Sequence, residues 1–351
     1  MFFLRSPEES PEKLLNFIDE SYSKVRILCL LKTAVHLDLF DFLENFKSAQ
    51  ELSSRLEIDL TLTEYLLKVF RELDLLEDKI EGNTNYYKNK EVTNIYLKKN
   101  SEYNIINSLQ YYFDDVKSWE NLESILKNQQ GFHSDIHTFF PEVINRMADE
   151  CKCWELPKIL NEISQYKEFK NARKLLDLAG GHGLYAIGFS MLNQDIKSYV
   201  FDLIPVIKQT DKFIKKYKAK NVFTIAGDFY NDDIGMDYDV IFASYNPGGK
   251  NPQIAKKVYA ALRKGGLFVD KQFFLKKENG LDDYLNNMEW NFSKTKGLKK
   301  GMVRFTFKGD LDLDSYLKYL KELGFEILDT VSIQQLLGFG CPSAKMIIAK
   351  K

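Results

Sequence analysis

The sequence predicts an α/β protein with a mainly parallel sheet, preceded by a mostly helical region. Three observations carry this expectation. After Asn171, short β-rich runs alternate with amphipathic helices. Between Lys24 and about Asn100 the order is helices followed by a hairpin. Between them in importance stands "LLDLAGGHGLYAIGFSML", Leu175 to Leu192, with three glycines and a histidine packed into four positions right after the first predicted strand. At 351 residues the chain exceeds the roughly 100–200 residues of one ordinary domain, so two domains are expected.

The N-terminal elements follow from periodicity. "ILCLLKTAVHLDLFDFL" repeats apolar residues at three and four spacings, and "SAQELSSRL" and "TLTEYLLKVFRELDLL" read as two shorter helices. "EDKIEGNTNYYKNK" then forms a small hairpin around Gly82 and Asn83. Helix, helix, hairpin is the order of a winged helix. In the second of its helices Lys68 and Arg71 are offset by Glu64 and Glu72, so phosphate neutralisation lacks a clustered positive charge, and a dimerisation module is expected instead of a nucleic-acid binder. His36, on the long amphipathic helix, is read as structural.

Composition narrows the partners further. Lys plus Arg (49) against Asp plus Glu (50) gives a net charge of -1, with no overall pull toward nucleic acid or an anionic membrane. No charge-free apolar run reaches the roughly 18 residues of a membrane span, and "MFFLRSPEESPEKLL" lacks the features of a cleavable signal, so a cytoplasmic protein is expected. Four cysteines are too few and too irregular for a disulfide framework, and reduced thiols are expected.

From Glu102 to Asn171 the chain reads as helical and aromatic, without strand alternation, a connector whose aromatic faces close over a ligand. The strands beyond it are "KLLDLA", "SYVFDL", "VFTIAGD", "YDVIFASY", "LFVDKQF", "EILDTVSI" and "KMIIAKK", with helices between most of them, as crossover units require. Ile254, Val258 and Leu262 fall on one helical face, Pro205 suits a first turn, and Gly265 with Gly266 suits a helix stop.

In an open parallel sheet, ligands sit beyond the carboxyl ends of the strands. Gly180, Gly181 and Gly183 lie there and permit backbone approaches that a side chain would block, while the following helix offers free N–H groups. His182 is expected to point away or to line the rim. The pattern is G-G-x-G with Asp177 three residues upstream of the first glycine, not the G-x-G-x-x-G of dinucleotide sites, which shifts the expected ligand to S-adenosylmethionine. Asp202 ends the second strand, where an acceptor-only carboxylate can take both ribose hydroxyls of a nucleoside. Asp228 and Phe229 follow the third, where the carboxylate can accept from the adenine amine and the ring can cover the base. Each feature alone also fits ordinary turn chemistry; their order supports a joint reading.

With these residues in view, the chain resembles the class I S-adenosylmethionine-dependent methyltransferases, specifically the small-molecule O-methyltransferases with an N-terminal winged-helix dimerisation domain. "LLDLAGGHG", "FDLIPV", "GDFY", "AALRKGGLFV" and "KELGFEI" resemble the cofactor half, and the helices above resemble the dimerisation half. The resemblance implies a Rossmann-like domain with a seven-stranded, mainly parallel sheet, S-adenosylmethionine as cofactor, a small-molecule methyl acceptor, and a homodimer. It implies residues 1–104 as dimerisation domain, 105–170 as helical connector contributing to the substrate pocket, and 171–351 as the methyltransferase domain. Gly180, Gly181 and Gly183 would border the methionine part of the cofactor, Asp202 the ribose, and Asp228 with Phe229 the adenine; Asp177 and Ser244 join this set.

The resemblance breaks at one place. Many members carry a His-Asp-Trp triplet after the fourth strand, whose histidine deprotonates the acceptor. Counting back without a gap from "AALRKGG" sets Ser244, Tyr245 and Asn246 on that triplet, so the histidine is absent. Asp270 corresponds to a carboxylate that flanks it in the family. Three explanations are open. The acceptor needs little base assistance, as a thiol would; or another residue, Asp270 or Tyr245, serves as base, with Ser244 beside them; or methyl transfer has been lost in favour of ligand binding, including regulation through the winged helix, or of another reaction in the same pocket. His133 and His137, four residues apart, together with Met147, Met288 and Trp290, are candidates for the substrate pocket, and each also fits plain packing. Cys151 and Cys153 lack the spacing of a metal site, and no metal is expected.

Overall fold

The computed structural model describes residues 8–127, 132–274 and 280–351, with the side chains of 132–134 outside the description. The chain separates into two compact units, Met1–Lys117 and Ser118–Lys351, so the stretch expected as a connector is divided between them.

In the first unit a long helix, Glu12–His36, is followed by strand β1 (Lys47–Ser48), helices Ala49–Leu56 and Leu60–Glu72, and strands β2 (Leu76–Glu81) and β3 (Thr84–Asn89) in the sheet order β1-β3-β2. The two short helices begin where capping chemistry dictates. Ser48 and Glu51 form a reciprocal capping box, and Asp59 accepts from the Leu62 N–H at 2.8 Å. Thr63, Leu66, Leu67 and Phe70 then place one face of the second helix in a core with Phe40, Leu43 and Leu52. The predicted hairpin is present, turning at Gly82 with φ +62. His36 meets Gln110 at 3.3 Å and the edge of Phe113, a packing role.

The second unit contains β4 (Phe132–Asp135), β5 (Lys174–Leu178), β6 (Lys197–Asp202), β7 (Val222–Ala226), β8 (Tyr238–Ser244), β9 (Leu262–Phe273), β10 (Ser293–Lys296), β11 (Glu326–Ser332) and β12 (Ala344–Lys350). Seven of them form one sheet in the order β11-β12-β9-β8-β5-β6-β7. The pairs from β9 to β7 are parallel, and β12 runs antiparallel to both of its neighbours. In β5, Leu175, Leu176 and Leu178 are all buried, as a sheet covered on both faces requires. Helices Leu184–Leu192 and Ile204–Lys216 follow β5 and β6, the second with Pro205 in its first turn.

Two expectations are corrected. The connector is not free of strands: β4 pairs in parallel with β10 in a separate two-stranded sheet. The helix after β8, Pro252–Ala261, ends before Leu262, which already belongs to β9; Gly265, at φ +80, is therefore a turn within the strand and not a helix stop. No helix among the described residues is long and apolar enough to cross a membrane.

Candidate active site

The carboxyl edge of the sheet is where the chain bends most sharply. After β5, Ala179, Gly181 and Gly183 all take positive φ (+54, +53 and +71), so the loop folds back before the helix starts at Leu184. The reasons for the three glycines differ. A Cβ on Gly180 would lie 2.5 Å from the carboxyl carbon of Asp177, and one on Gly183 would lie 2.8 Å from a Thr210 methyl. These two glycines are imposed by packing within the protein. Only Gly181 lines the cavity in front of the loop, where a Cβ would meet Ile144 at 3.1 Å.

His182 points away from that cavity. Its Nδ1 accepts the Leu184 N–H at 3.1 Å, which satisfies a free donor of the helix start, and burial pushes its pKa down to about 3, so the ring stays neutral. Asp177 also stays outside, buried beneath the loop. It accepts from the Ala186 N–H at 3.3 Å, its Oδ1 meets no partner among the described residues, and burial raises its pKa to about 7.

Asp202 is the central polar group. Its Oδ2 accepts from the Gly181 N–H at 2.9 Å and its Oδ1 from the Leu203 N–H at 2.7 Å. Burial raises its pKa to about 6, against the lowering effect of these two bonds. A carboxylate oxygen has more than one acceptor direction, so this aspartate, fixed from behind, retains capacity for donors from the cavity. Asp228 and Phe229 line the same space. The Asp228 carboxylate is engaged in its own turn, accepting from the Tyr230 N–H at 2.9 Å and the Asn231 amide at 2.7 Å.

The cavity spans about 760 Å³ of space that includes open solvent at its mouth. Ile136, Phe140, Ile144 and Met147 form its roof, one face of the helix Ile136–Glu150 at spacings of four, four and three. Ser244, Tyr245, Asn246 and Pro247 form a side wall. A cradle with a glycine backbone, a rigidly held carboxylate and an aromatic ring fits an adenosyl group with an amino acid tail.

The expected catalytic residues divide. Ser244 and Tyr245 line the cavity, and Asp270 does not. Asp270 is fully buried on β9, with its Oδ1 accepting from Gln272 at 2.9 Å and its carboxyl raised to about 7 by burial. A base must reach the proton that it removes, so the role expected for Asp270 is corrected. The Tyr245 hydroxyl is pushed far above the usual phenol range, by burial first and then by Glu155, which opposes a phenolate base. Of the expected pocket residues, Met147 lies in the roof. His137 is exposed at the start of the roof helix, and the side chain of His133 lies outside the described residues. Met288 and Trp290 stand off the cavity on the helix Leu281–Trp290; the Trp290 indole donates to the Gly301 carbonyl at 2.9 Å, and its ring meets Phe305 edge-on. Cys151 and Cys153 are not activated: burial raises Cys153 to about 11 and Cys151 higher still.

Sequence reading missed the roof and one buried cluster. The roof was detectable as an apolar stripe at helical spacing in "IHTFFPEVINRM". The cluster is centred on Lys271, fully buried, whose ammonium donates to Glu155 at 2.6 Å and to the Tyr185 hydroxyl at 2.7 Å. Its only sequence signal was the pair of adjacent charges in the otherwise apolar strand "LFVDKQF".

Comparisons with known proteins bear on the family and the fold. Residues 22–99 match the O-methyltransferase dimerisation domain, and residues 143–294 match the O-methyltransferase domain. An uncharacterised protein of Methanocaldococcus jannaschii is 60% identical over 369 residues, spanning 99% of each chain. The fold is shared with an O-methyltransferase family protein from Burkholderia thailandensis (TM-score 0.72, 17% identity, 98% of this chain and 99% of that one). It is shared also with human N-acetylserotonin methyltransferase in complex with S-adenosylmethionine (TM-score 0.69, 17% identity, 99% of both chains). The chain belongs to the O-methyltransferase family, as an S-adenosylmethionine-dependent methyltransferase with an N-terminal dimerisation domain.

Proposed function

We propose that the protein methylates an oxygen or sulfur nucleophile of a small molecule that enters the cavity already ionised. When bound, S-adenosylmethionine supplies an electrophilic methyl group on a sulfonium. Asp202 would hold its ribose, Gly181 would admit its amino acid end, and Phe229 with Asp228 would face its base. Ile136, Phe140, Ile144 and Met147 would exclude water above it and orient the acceptor, so that proximity supplies much of the rate.

The observation that carries this reading is the state of the titratable groups in the cavity wall. Among the described lining residues these are Asp202, Asp228, Tyr230 and Tyr245. Asp202 and Asp228 are held by backbone and side-chain donors. Tyr230 donates to the Pro247 carbonyl at 3.1 Å and is raised by burial to about 12, and Tyr245 is raised further. Asp202, raised to about 6, is committed to the Gly181 and Leu203 N–H groups, and neither tyrosine can take a proton near neutrality from a weakly acidic hydroxyl, whereas a thiol ionises near a pKa of about 8.5 without help. The family match over residues 22–99 and the exposed Leu14, Phe17, Ile18, Tyr22 and Val25 of the first helix support a homodimer.

The test is methyl transfer to a panel of thiols and phenols across pH. The expected rate rises along each acceptor's own ionisation and levels above its pKa. A single pKa common to all acceptors, abolished in His133→Ala or His137→Ala, would show a protein base and overturn the reading.

A further inference from the structure

A buried ion pair ties three walls of the cavity together. The Lys271 ammonium, the Glu155 carboxylate and the Tyr185 hydroxyl form a closed triangle, since Tyr185 also donates to Glu155 Oε1 at 2.8 Å. Each member sits next to a different part of the site. Tyr185 is two residues beyond Gly183, in the helix that starts at the glycine loop. Glu155 ends the turn of π-helix Cys151–Glu155, which joins the roof helix Ile136–Glu150 to the helix Leu156–Ser164. Lys271 accepts the Tyr245 N–H on its backbone carbonyl at 2.8 Å, and its ammonium lies 4.2 Å from the centre of the Tyr245 ring.

The two ends of the roof are anchored differently. Beyond the π-turn, Leu160 packs so closely on the glycine-loop helix that a Cβ on Gly188 would lie 2.3 Å from it. Before the turn, the roof helix presents four apolar residues to the cavity. The π-turn lies between the two segments, a place where wide helical turns often carry function, and the Glu155–Lys271 pair fixes it to the sheet. As a source of stability such a pair is a poor choice, because an apolar pair of similar volume often does as well in a buried setting; in some proteins buried pairs instead specify one geometry.

We propose that Lys271 is a positioning residue for the methyltransferase. Through Glu155 it holds the roof helix, and through its own backbone and ammonium it holds the Tyr245 wall, so that filling the cavity and seating the roof become one event. The proposal rests on the assignment of the cavity to the cofactor.

The experiment compares wild type with the double variant Lys271→Met/Glu155→Gln, which leaves no unpaired charge buried. S-adenosylhomocysteine affinity is measured by calorimetry, and amide hydrogen exchange is followed in residues 136–150. In wild type the ligand slows exchange in the roof helix. In the double variant affinity falls by about tenfold, within the usual range of coupling between sites, and that protection is lost. Should the double variant not fold, Tyr185→Phe removes a single hydroxyl from the triangle and gives the same comparison with a smaller effect. Wild-type affinity and protection in a folded variant overturn the proposal. Asp202→Ala is measured in parallel: if it abolishes binding while the Lys271 variant does not, the positioning role alone fails, and if neither weakens binding, the cofactor assignment fails with it.

Discussion

Two loops leave the carboxyl edge of the sheet side by side, one after β5 and one after β8, and both start with a non-glycine residue at positive φ, Ala179 at +54 and Tyr245 at +50. The first is fixed by its own strand and by the end of the next one. Asp177 excludes any side chain from Gly180, and the Gly181 N–H is held by Asp202. The second is fixed by the loop after β7, by β9 and by residues beyond it. A Cβ on Gly248 would lie 2.5 Å from the Phe229 ring, and one on Gly249 would lie 1.7 Å from the Gln272 amide. Lys250, at its end, donates to the carbonyls of Phe273 and Phe305 at 2.9 Å each and pairs with Asp310 at 3.0 Å. In the proposed function the first loop serves the cofactor and the second frames the space for the acceptor.

The largest effect should come from breaking the first loop. Gly180→Ala drives a methyl group into a fully buried carboxyl, and overpacking of this kind costs about 1–3 kcal/mol. The expected result is reduced stability in denaturant titration together with loss of S-adenosylhomocysteine binding in calorimetry. Normal binding would mean that the loop is not the rigid cradle described above.

Next in size is the pH dependence of Asp202. Its carboxyl is raised to about 6, so its share of stability in the ligand-free protein is complete below the ordinary carboxyl pKa of about 4 and is lost as pH rises through about 6. Cofactor binding has the opposite sign, because the ionised form accepts the ribose hydroxyls. Affinity should therefore climb between pH 5 and 7 by up to about tenfold per pH unit below the pKa, and then level. Asp202→Asn should flatten that profile; an unchanged profile would move the ribose site elsewhere.

The reach of each contact along the chain decides what was legible in the sequence. Both layers of helices, the hairpin at Gly82 and the strands of the main sheet follow from periodicity and turn residues, which act over a few positions. Asp202, Asp228 and Phe229 were placed on the cavity because strand ends fix where a residue lies. Gly180 and Gly183 were recognised as obligatory for an incomplete reason, since the atoms they avoid belong to Asp177 and Thr210 and not to a ligand. Lys271 was invisible because its partner Glu155 is 116 residues away. Asp270 was misjudged because adjacent residues of a strand point to opposite faces, so only one of Asp270 and Lys271 could approach the Tyr245 wall. The β4–β10 pairing was missed because four-residue strands with few apolar residues carry no periodic signal of their own.

The smallest effect is predicted for the residue that a catalytic reading would make the most sensitive. Tyr245 stacks on Phe273 with ring centres 4.3 Å apart and planes at 14°, and it faces the Lys271 ammonium; both contacts use the ring and not the hydroxyl. Tyr245→Phe keeps the ring, and with it the wall of the cavity. Turnover of the best thiol in the acceptor panel should change by less than about twofold, whereas loss of a general base would cost about 10²–10⁴. A drop of that size would return Tyr245 to the chemistry and require its hydroxyl to ionise against its burial. A small change places the distinction between the two loops where the packing puts it, with Tyr245 as a shaped surface for the acceptor and the proton left to the acceptor itself.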